Sequence, residues 1–317
     1  MAHNKELLVI ALGGNALVDD GTKGTSEEHF ESVRKTALKL LPLFKMDYDI
    51  VLTHGNGPQV GNLLIQNEES SSKAPSMPLD VCVAMSQGEI GYFIQQTLGN
   101  LLHAHKIKKE AVTLVTSVLV DKNDPAFEKP SKPVGPYYTY EQAQQMIKNK
   151  KWIMVEDPGG KGFRRVVPSP KPIHVTETRI IQQLLLLGNI PIAVGGGGIP
   201  VIADKHKHYT GIEAVIDKDL ASAQLAIDLK ADKFIILTNV DNCFLNYKKK
   251  SQTTLKEMNL DEAHTYLEQG QFSAGSMGPK VTAAVDYLTS GGKEAFITSI
   301  DKILPAINKD AGTFIHH

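Results

Sequence analysis

The stretch DIVLTHGNGPQVGNLLIQ, residues 49–66, passes from an apolar run through a glycine turn into a helical pattern. Its first six residues have the length and composition of a strand buried on both faces. Pro58 suits the first turn of the helix that follows, where a missing backbone N–H is harmless. A strand, a glycine turn and a helix in this order are typical of an α/β protein.

Two more strand patterns end in glycine turns. LLVIAL (7–12) continues into ALGGNA (11–16), and IPIAVG (190–195) continues into VGGGGIP (194–200). Ligands of open parallel sheets bind beyond the carboxyl ends of the strands, so these turns are predicted to converge with the one after residue 54. Glycine lets the backbone approach a ligand closely, and consecutive N–H groups bind anionic oxygens.

Strand-like and helix-like stretches alternate along the rest of the chain. Further apolar runs are AVTLVTSVLV (111–120), KFIILTNV (233–240) and EAFITSI (294–300), and helical spacing occurs over 27–44, 178–188 and 219–231. The alternation predicts an open αβα sandwich around a mainly parallel sheet, joined by right-handed crossovers.

Composition excludes several classes of protein. The 317 residues are 42% hydrophobic and 22% charged, as in ordinary globular proteins, and the net charge of −1 gives no general attraction to nucleic acid or to an anionic membrane. Two distant cysteines suggest neither a disulfide framework nor a zinc site. No apolar run reaches the length of a transmembrane helix, and no signal peptide is recognised. We therefore expect a cytoplasmic protein.

The segment 121–172 interrupts the pattern because it is rich in Pro, Lys and Gly. A structureless loop of this length is unusual in a compact domain, so we expect a small inserted subdomain that acts as a lid on a single domain spanning 1–317. VVPSPKP (166–172) fits the return from this subdomain; the alternative is a polyproline ligand for a partner.

Common nucleotide motifs are absent. GNGPQVG (55–61) spaces its glycines as GxGxxxG, which differs from the dinucleotide fingerprint, and neither a P-loop nor the protein kinase motifs occur. Positive charge for phosphates must therefore come from elsewhere. Lys132 in the lid, Lys218 beside Asp217 at a helix start, and Lys280 in a glycine-rich helix start are the candidates.

Histidine pairs do not predict a metal site. HAH (103–105) and HKH (206–208) lie among polar residues without a third ligand nearby, so a solvated loop or helix end is the better interpretation.

An ordered set of motifs resembles one known family. VIALGGNAL, HGNGPQVGNLL, MPLDVCVAMSQGEIGY, SKPVGPYY, VVPSPKPI, GGGGIPV, EAVIDKDLAS, ILTNVD and GSMGPK together closely resemble the carbamate kinases of the amino acid kinase superfamily. The similarity extends over residues 7–312. It implies a homodimer and a reversible reaction in which carbamoyl phosphate and ADP, with Mg2+, give ATP and carbamate, a step of arginine catabolism. Carbamate then decomposes to ammonia and carbon dioxide.

The resemblance also implies residue roles. Residues around carbamoyl phosphate would be Gly13, Gly14, Asn15, Gly55, Asn56, Gly57, Gly196, Gly197 and Gly198. Catalytic groups would be Lys132, Lys218 and Lys280, with Asp217 organising the lysines. The stretch LTNVDNCFLNY (237–247) would wall the adenosine. Nucleotide contacts would be Thr238, Asp241, Tyr247, Met277, Gly278 and Lys280, and Mg2+ would be held mainly through the nucleotide phosphates.

Three alternatives stay open. The enzyme could phosphorylate another small acid, such as acetylglutamate or aspartate, or the chain could be a sensor that binds without catalysis. Cys243, in the expected nucleotide wall, is either a thiol that reagents modify unless nucleotide protects it, or a small buried apolar residue.

Overall fold

The computed structural model describes residues 5–14, 17, 23–157, 159–273 and 275–317. Within these ranges the strands are β1 (Glu6–Leu12), β2 (Tyr48–His54), β3 (Ala111–Thr113), β4 (Ser117–Val120), β5 (Lys132–Tyr138), β6 (Ile153–Glu156), β7 (Phe163–Val167), β8 (Pro172–Val175), β9 (Ile190–Ile192), β10 (Ile199–Ala203), β11 (Tyr209–Gly211), β12 (Lys233–Thr238), β13 (Cys243–Leu245), β14 (Thr253–Leu255), β15 (Glu257–Asn259), β16 (Glu294–Ser299) and β17 (Thr313–His316). The helices are α1 (Ser26–Lys45), α2 (Gly57–Glu69), α3 (Leu79–Ala104), α4 (Tyr140–Lys150), α5 (Thr178–Leu186), α6 (Lys218–Leu229), α7 (Leu260–Glu268), α8 (Met277–Thr289) and α9 (Ile303–Ile307).

An eight-stranded sheet forms the centre, in the order β15-β17-β16-β12-β1-β2-β9-β3. Its neighbours pair in parallel except β16 with β17. Side chains of β1 alternate between two hydrophobic cores: Val9 packs with α6 and α8, and Ile10 packs with α1 and α3. Both faces of the sheet are therefore covered by helices, which confirms the predicted αβα sandwich.

The apolar run 111–120 forms two strands where the sequence pattern predicted one. β3 is the edge strand of the central sheet, whereas β4 belongs to a second sheet of order β11-β10-β4-β8. The pairing of β3 with β9 ends at Thr113, and the Leu114 N–H makes a last backbone bond to Ile192 O at 2.9 Å. In the connection to β4, the Thr116 N–H donates to Gln87 Oε1 of α3 at 2.8 Å. A side-chain partner thus takes the place of a strand neighbour between the two strands.

Residues 132–167 form a separate three-stranded antiparallel sheet, β5-β7-β6, with α4 packed beside it. Val134 of β5 packs against Val60 of α2 in a small apolar cluster. Ion pairs between Lys150 and Glu68, and between Arg165 and Glu213, also link this sheet to the rest of the chain. The stretch 166–172 comprises the end of β7, the connection 168–171 and the start of β8.

None of the helices in the described ranges has the length and apolar character needed to cross a membrane.

Candidate active site

Three glycine turns meet in one cleft. They follow β1, β2 and β9, which lie side by side and run in parallel, so their carboxyl ends share one edge of the sheet. The cleft has a volume of about 340 Å³, and Gly14, Gly55 and Gly196 contribute to its lining. The predicted convergence is therefore present.

The turn after β9 shows why glycine is needed. Gly196, Gly197 and Gly198 have φ values of +66°, +93° and +79°, in the region that L side chains rarely adopt. The amides of Gly197 and Gly198 donate to Val194 O and Gly195 O, each at 3.1 Å. Of the predicted glycines 196–198, Gly196 lines the cleft, while the amides of the other two close the turn.

The turn after β1 also depends on close backbone approach, and the turn after β2 leads into a helix N-terminus. A Cβ on Gly13 would lie 2.7 Å from Leu237 O of β12. Asn56 precedes α2, so the helix N-terminus, with Gly57, faces the cleft and favours negative charge there. Asn56 Nδ2 donates to Ser86 Oγ of α3 at 2.8 Å. Asn15, also predicted at this site, lies outside the described residues.

All three predicted lysines line the cleft. Lys132, at the start of β5, donates to Asp217 Oδ2 at 2.9 Å. Lys218, the first residue of α6, lies 3.1 Å from Asp219 Oδ1 and also donates to Leu12 O at 2.9 Å. Lys280 of α8 donates to Asp219 Oδ2 at 2.8 Å. Residues from the small sheet and from the two helices thus bring their positive charges together.

Two aspartates share the ion pairs that the sequence analysis assigned to Asp217 alone. Asp217 caps α6 by accepting from the Asp219 N–H at 2.9 Å and pairs with Lys132. Asp219 bridges Lys218 and Lys280 and is 3% exposed. The expectation that Asp217 organises all three lysines is thus too broad, because the helix turns Asp219 toward two of them. An acid in the first turn of α6 was visible in the sequence, but its direction was not.

The pKa values of Lys218, Asp219 and His54 are all lowered, each by a different balance of burial and neighbouring charge. Burial lowers the pKa of Lys218, although the Asp219 carboxylate opposes the change. Burial alone would raise the pKa of Asp219, but Lys218 and Lys280 hold it below its usual value. Burial lowers the pKa of His54 to about 4. His54 is therefore neutral at pH 7, with its proton on Nδ1, which lies 2.9 Å from Gly55 O.

A second pocket of about 500 Å³ adjoins the cleft, because Ser276 lines both. Of the predicted nucleotide contacts, Thr238, Tyr247 and Met277 line it. The described pocket lining does not include Asp241, which accepts from Ser299 Oγ, or Gly278, whose amide donates to Ser273 O. Asn239, Val240, Phe244 and Asn246 of the stretch 237–247, which was expected to wall the nucleotide, also line the pocket. The sequence pattern gave no signal for the remaining lining residues, Lys249, Gln269, Gly270, Gln271, Phe272, Ser273 and Ser276.

Cys243 lies behind this wall. It is fully buried on β13, and its Sγ is 3.5 Å from Met277 Sδ. Burial raises the pKa of its thiol to about 12. Since the thiolate is the reactive form, Cys243 is unreactive in this arrangement.

Comparison with known proteins identifies relatives over the whole chain. The model of the amino acid kinase family matches residues 6–299. A carbamate kinase of Pyrococcus horikoshii is 47% identical over 97% of this chain and 98% of its own. A structure of carbamate kinase from Giardia lamblia bound to AMP-PNP is 42% identical, covers 99% of both chains and has a TM-score of 0.93. Another Giardia structure, of that enzyme thiocarbamoylated by disulfiram on a cysteine, is 40% identical, covers 99% of both chains and has a TM-score of 0.89.

Proposed function

The chain belongs to the carbamate kinases of the amino acid kinase family, and on this premise we propose that its cleft transfers a phosphoryl group between carbamoyl phosphate and ADP. The observation that carries the proposal is the convergence of Lys132, Lys218 and Lys280 beside a glycine-lined cleft. Phosphoryl transfer depends on positioning and on charge stabilisation, which this arrangement supplies. In this family the reaction serves arginine catabolism.

We propose the following division of roles. Carbamoyl phosphate lies among Gly14, Gly55, Asn56, Gly57 and Gly196, and ADP lies in the adjoining pocket, with its phosphates near Ser276. A β-phosphate oxygen of ADP attacks the phosphorus, and the bond from phosphorus to the carbamate oxygen breaks. ATP and carbamate result, and carbamate decomposes to ammonia and carbon dioxide.

The lysines act on the charge that moves during transfer. Lys218 and Lys280 stabilise the transferring group, and Asp219 keeps both lysines oriented. Lys132 belongs to the small sheet, so residues 121–172 act as a lid that completes the site on closing. The substrate has no side chain, so close backbone walls exclude larger acids.

Mg2+ is proposed to bind mainly through the nucleotide phosphates. The carboxylates in the described lining of the cleft are paired with lysines, Asp217 with Lys132 and Asp219 with Lys218 and Lys280, which favours this arrangement. The metal supplies neutralisation of phosphate charge.

We also propose a homodimer in the cytoplasm. Exposed apolar side chains on the adjacent helices α1 and α3, those of Leu38 and Tyr92, support an interface, and two free buried thiols suit a reducing compartment. We further propose that a thiol reagent reaches Cys243 when the nucleotide pocket opens.

A coupled assay tests the proposed reaction. The protein with Mg2+, ADP and carbamoyl phosphate is expected to form ATP, whereas acetylglutamate and aspartate are not phosphorylated by ATP. Lys132→Ala is expected to lower turnover by about 100-fold or more, while Lys129→Ala, an exposed lysine of the same segment, has little effect. Tight substrate binding without ATP formation would instead identify a sensor, and near-normal turnover of Lys132→Ala would refute the lid role.

A further inference from the structure

Two consecutive polar residues of α3, Ser86 and Gln87, are fully buried. They belong to the motif MPLDVCVAMSQGEIGY (77–92), to which none of the proposed roles is attached. Burying a polar side chain costs free energy unless it is hydrogen-bonded, so the partners of these two residues are informative. The hydrogen bonds of both residues connect α3 to segments that form the walls of the cleft.

Gln87 holds the backbone of Thr116 from both sides. Its Nε2 donates to Thr116 O at 3.0 Å, and its Oε1 accepts from Thr116 N at 2.8 Å. The Thr116 hydroxyl donates to Gln87 Oε1 at 3.3 Å and accepts from the Val194 N–H at 2.7 Å. A continuous chain of bonds therefore runs from α3 to the residue that precedes the four glycines.

Val194 has a backbone conformation that is unfavourable for a β-branched residue. Its φ is +53° and its ψ is +35°, in the left-handed region, which is unfavourable for a β-branched residue. The bond from its N–H to Thr116 helps to keep this conformation. The conformation directs the chain into the turn, where Gly195 packs so closely that a Cβ would lie 2.5 Å from His54 Nε2.

Ser86 acts on a second wall of the cleft. Its hydroxyl donates to Val83 O at 2.7 Å and accepts from Asn56 Nδ2 at 2.8 Å. Asn56 in turn packs against the glycine turn, because a Cβ on Gly196 would lie 2.1 Å from Asn56 Nδ2. One turn of α3 therefore fixes two walls that meet.

We propose that Ser86 and Gln87 are positioning residues for the carbamoyl phosphate end of the cleft, with Gln87 acting through Thr116 to hold Val194 in its strained conformation. This inference rests on the proposed function. Neither residue belongs to the described lining of the cleft or of the adjoining pocket. Their effect is expected on the carbamoyl substrate and not on the nucleotide.

The test compares Michaelis constants for the two substrates. Thr116→Val, which keeps the shape and removes the hydroxyl, is expected to raise the KM for carbamoyl phosphate about tenfold while the KM for ADP changes less than about twofold. Thr116→Ser restores the hydroxyl and is expected to restore the KM. Ser86→Ala is expected to give the same selective rise, and it provides a second test should Thr116→Val fail to fold.

Two further variants separate positioning from general stability. Ile94→Val removes a methylene from a buried α3 side chain in the core and is expected to lower the melting temperature without changing either KM. Adding Val194→Gly to Thr116→Val is expected to recover part of the lost affinity, because glycine adopts the left-handed conformation without the bond.

Equal rises in both constants, or an unchanged KM for carbamoyl phosphate in Thr116→Val and Ser86→Ala, would overturn the inference. Absence of ATP formation by the unaltered protein would instead overturn the proposed function, so the two failures are distinguishable.

Discussion

At the scale of single residues, the buried carboxylate of Asp219 connects two lysines that would otherwise repel each other. Its two oxygens lie 3.1 Å and 2.8 Å from the nitrogens of Lys218 and Lys280. Removing one charge from a buried ion-pair cluster lowers the free energy of unfolding, because the remaining charges stay desolvated without a partner. The geometry of both lysines therefore depends on this one side chain.

We predict that Asp219→Asn lowers kcat by roughly 100-fold, since the amide cannot hold two ammonium groups in place. Asp217→Asn is the matched variant, because asparagine still caps α6 and only the pair with Lys132 is weakened. Steady-state rates together with circular dichroism check the prediction. A more active Asp219→Asn than Asp217→Asn would contradict it.

The lysines were predictable from their sequence setting, but the division of roles between the aspartates was not. Asp217 and Asp219 flank Lys218 symmetrically in sequence. They differ only because Asp217 precedes α6 and bonds back to its first turn, whereas Asp219 lies within that turn. The rotation of α6 about its axis decides which aspartate faces Lys280 of α8. That rotation depends on how the helices pack, which cannot be read from a single sequence.

At the scale of elements, the glycine turns were predictable because each follows an apolar run on a neighbouring strand. The break between β3 and β4 was not, because residues 111–120 are apolar and β-branched throughout most of their length. Gln87, on α3, bonds both backbone groups of Thr116 in the connection between the two strands. At this position a contact with a residue distant in sequence outweighs the local strand pattern.

The contact between β13 and α8 predicts slow, nucleotide-dependent modification of Cys243. Its Sγ is covered by Met277 at the start of α8, so a thiol reagent must wait for the pocket to open. Saturating ADP is expected to fill the pocket and slow inactivation further. Loss of activity against time, with and without ADP, measures the effect.

Variants at both cysteines complete this experiment. Cys243→Ala should resist inactivation, whereas Cys82→Ser should behave as the unaltered protein, because Cys82 belongs to a different apolar cluster on α3. Inactivation that ignores ADP, or that persists in Cys243→Ala, would contradict the prediction.

At the scale of the whole molecule, His54 couples folding to pH. Its pKa is about 4 in the folded protein and about 6.5 when unfolded, so between these values the unfolded chain binds more protons. The free energy of unfolding should therefore fall as pH is lowered from 6.5 toward 4, by about 3 kcal/mol for this group.

Urea unfolding at pH 7 and pH 5 measures the dependence. His54→Gln is expected to flatten the slope whatever it does to stability at pH 7. An equal slope in the unaltered protein and His54→Gln would show that His54 is not the titrating group.

The paired state of the cleft lysines has a consequence for competition among small anions. Lys132, Lys218 and Lys280 carry three positive charges, and Asp217 and Asp219 offset two of them. Among the described residues that line the cleft, this leaves a surplus of one positive charge, and an approaching anion gains more only by displacing a carboxylate from its lysine. Orthophosphate and sulfate lack a carbamoyl group, whereas carbamoyl phosphate would add the contacts of that group with the glycine walls that are proposed above. We therefore expect the ion pairs between the lysines and the aspartates to favour binding of carbamoyl phosphate over binding of abundant inorganic anions.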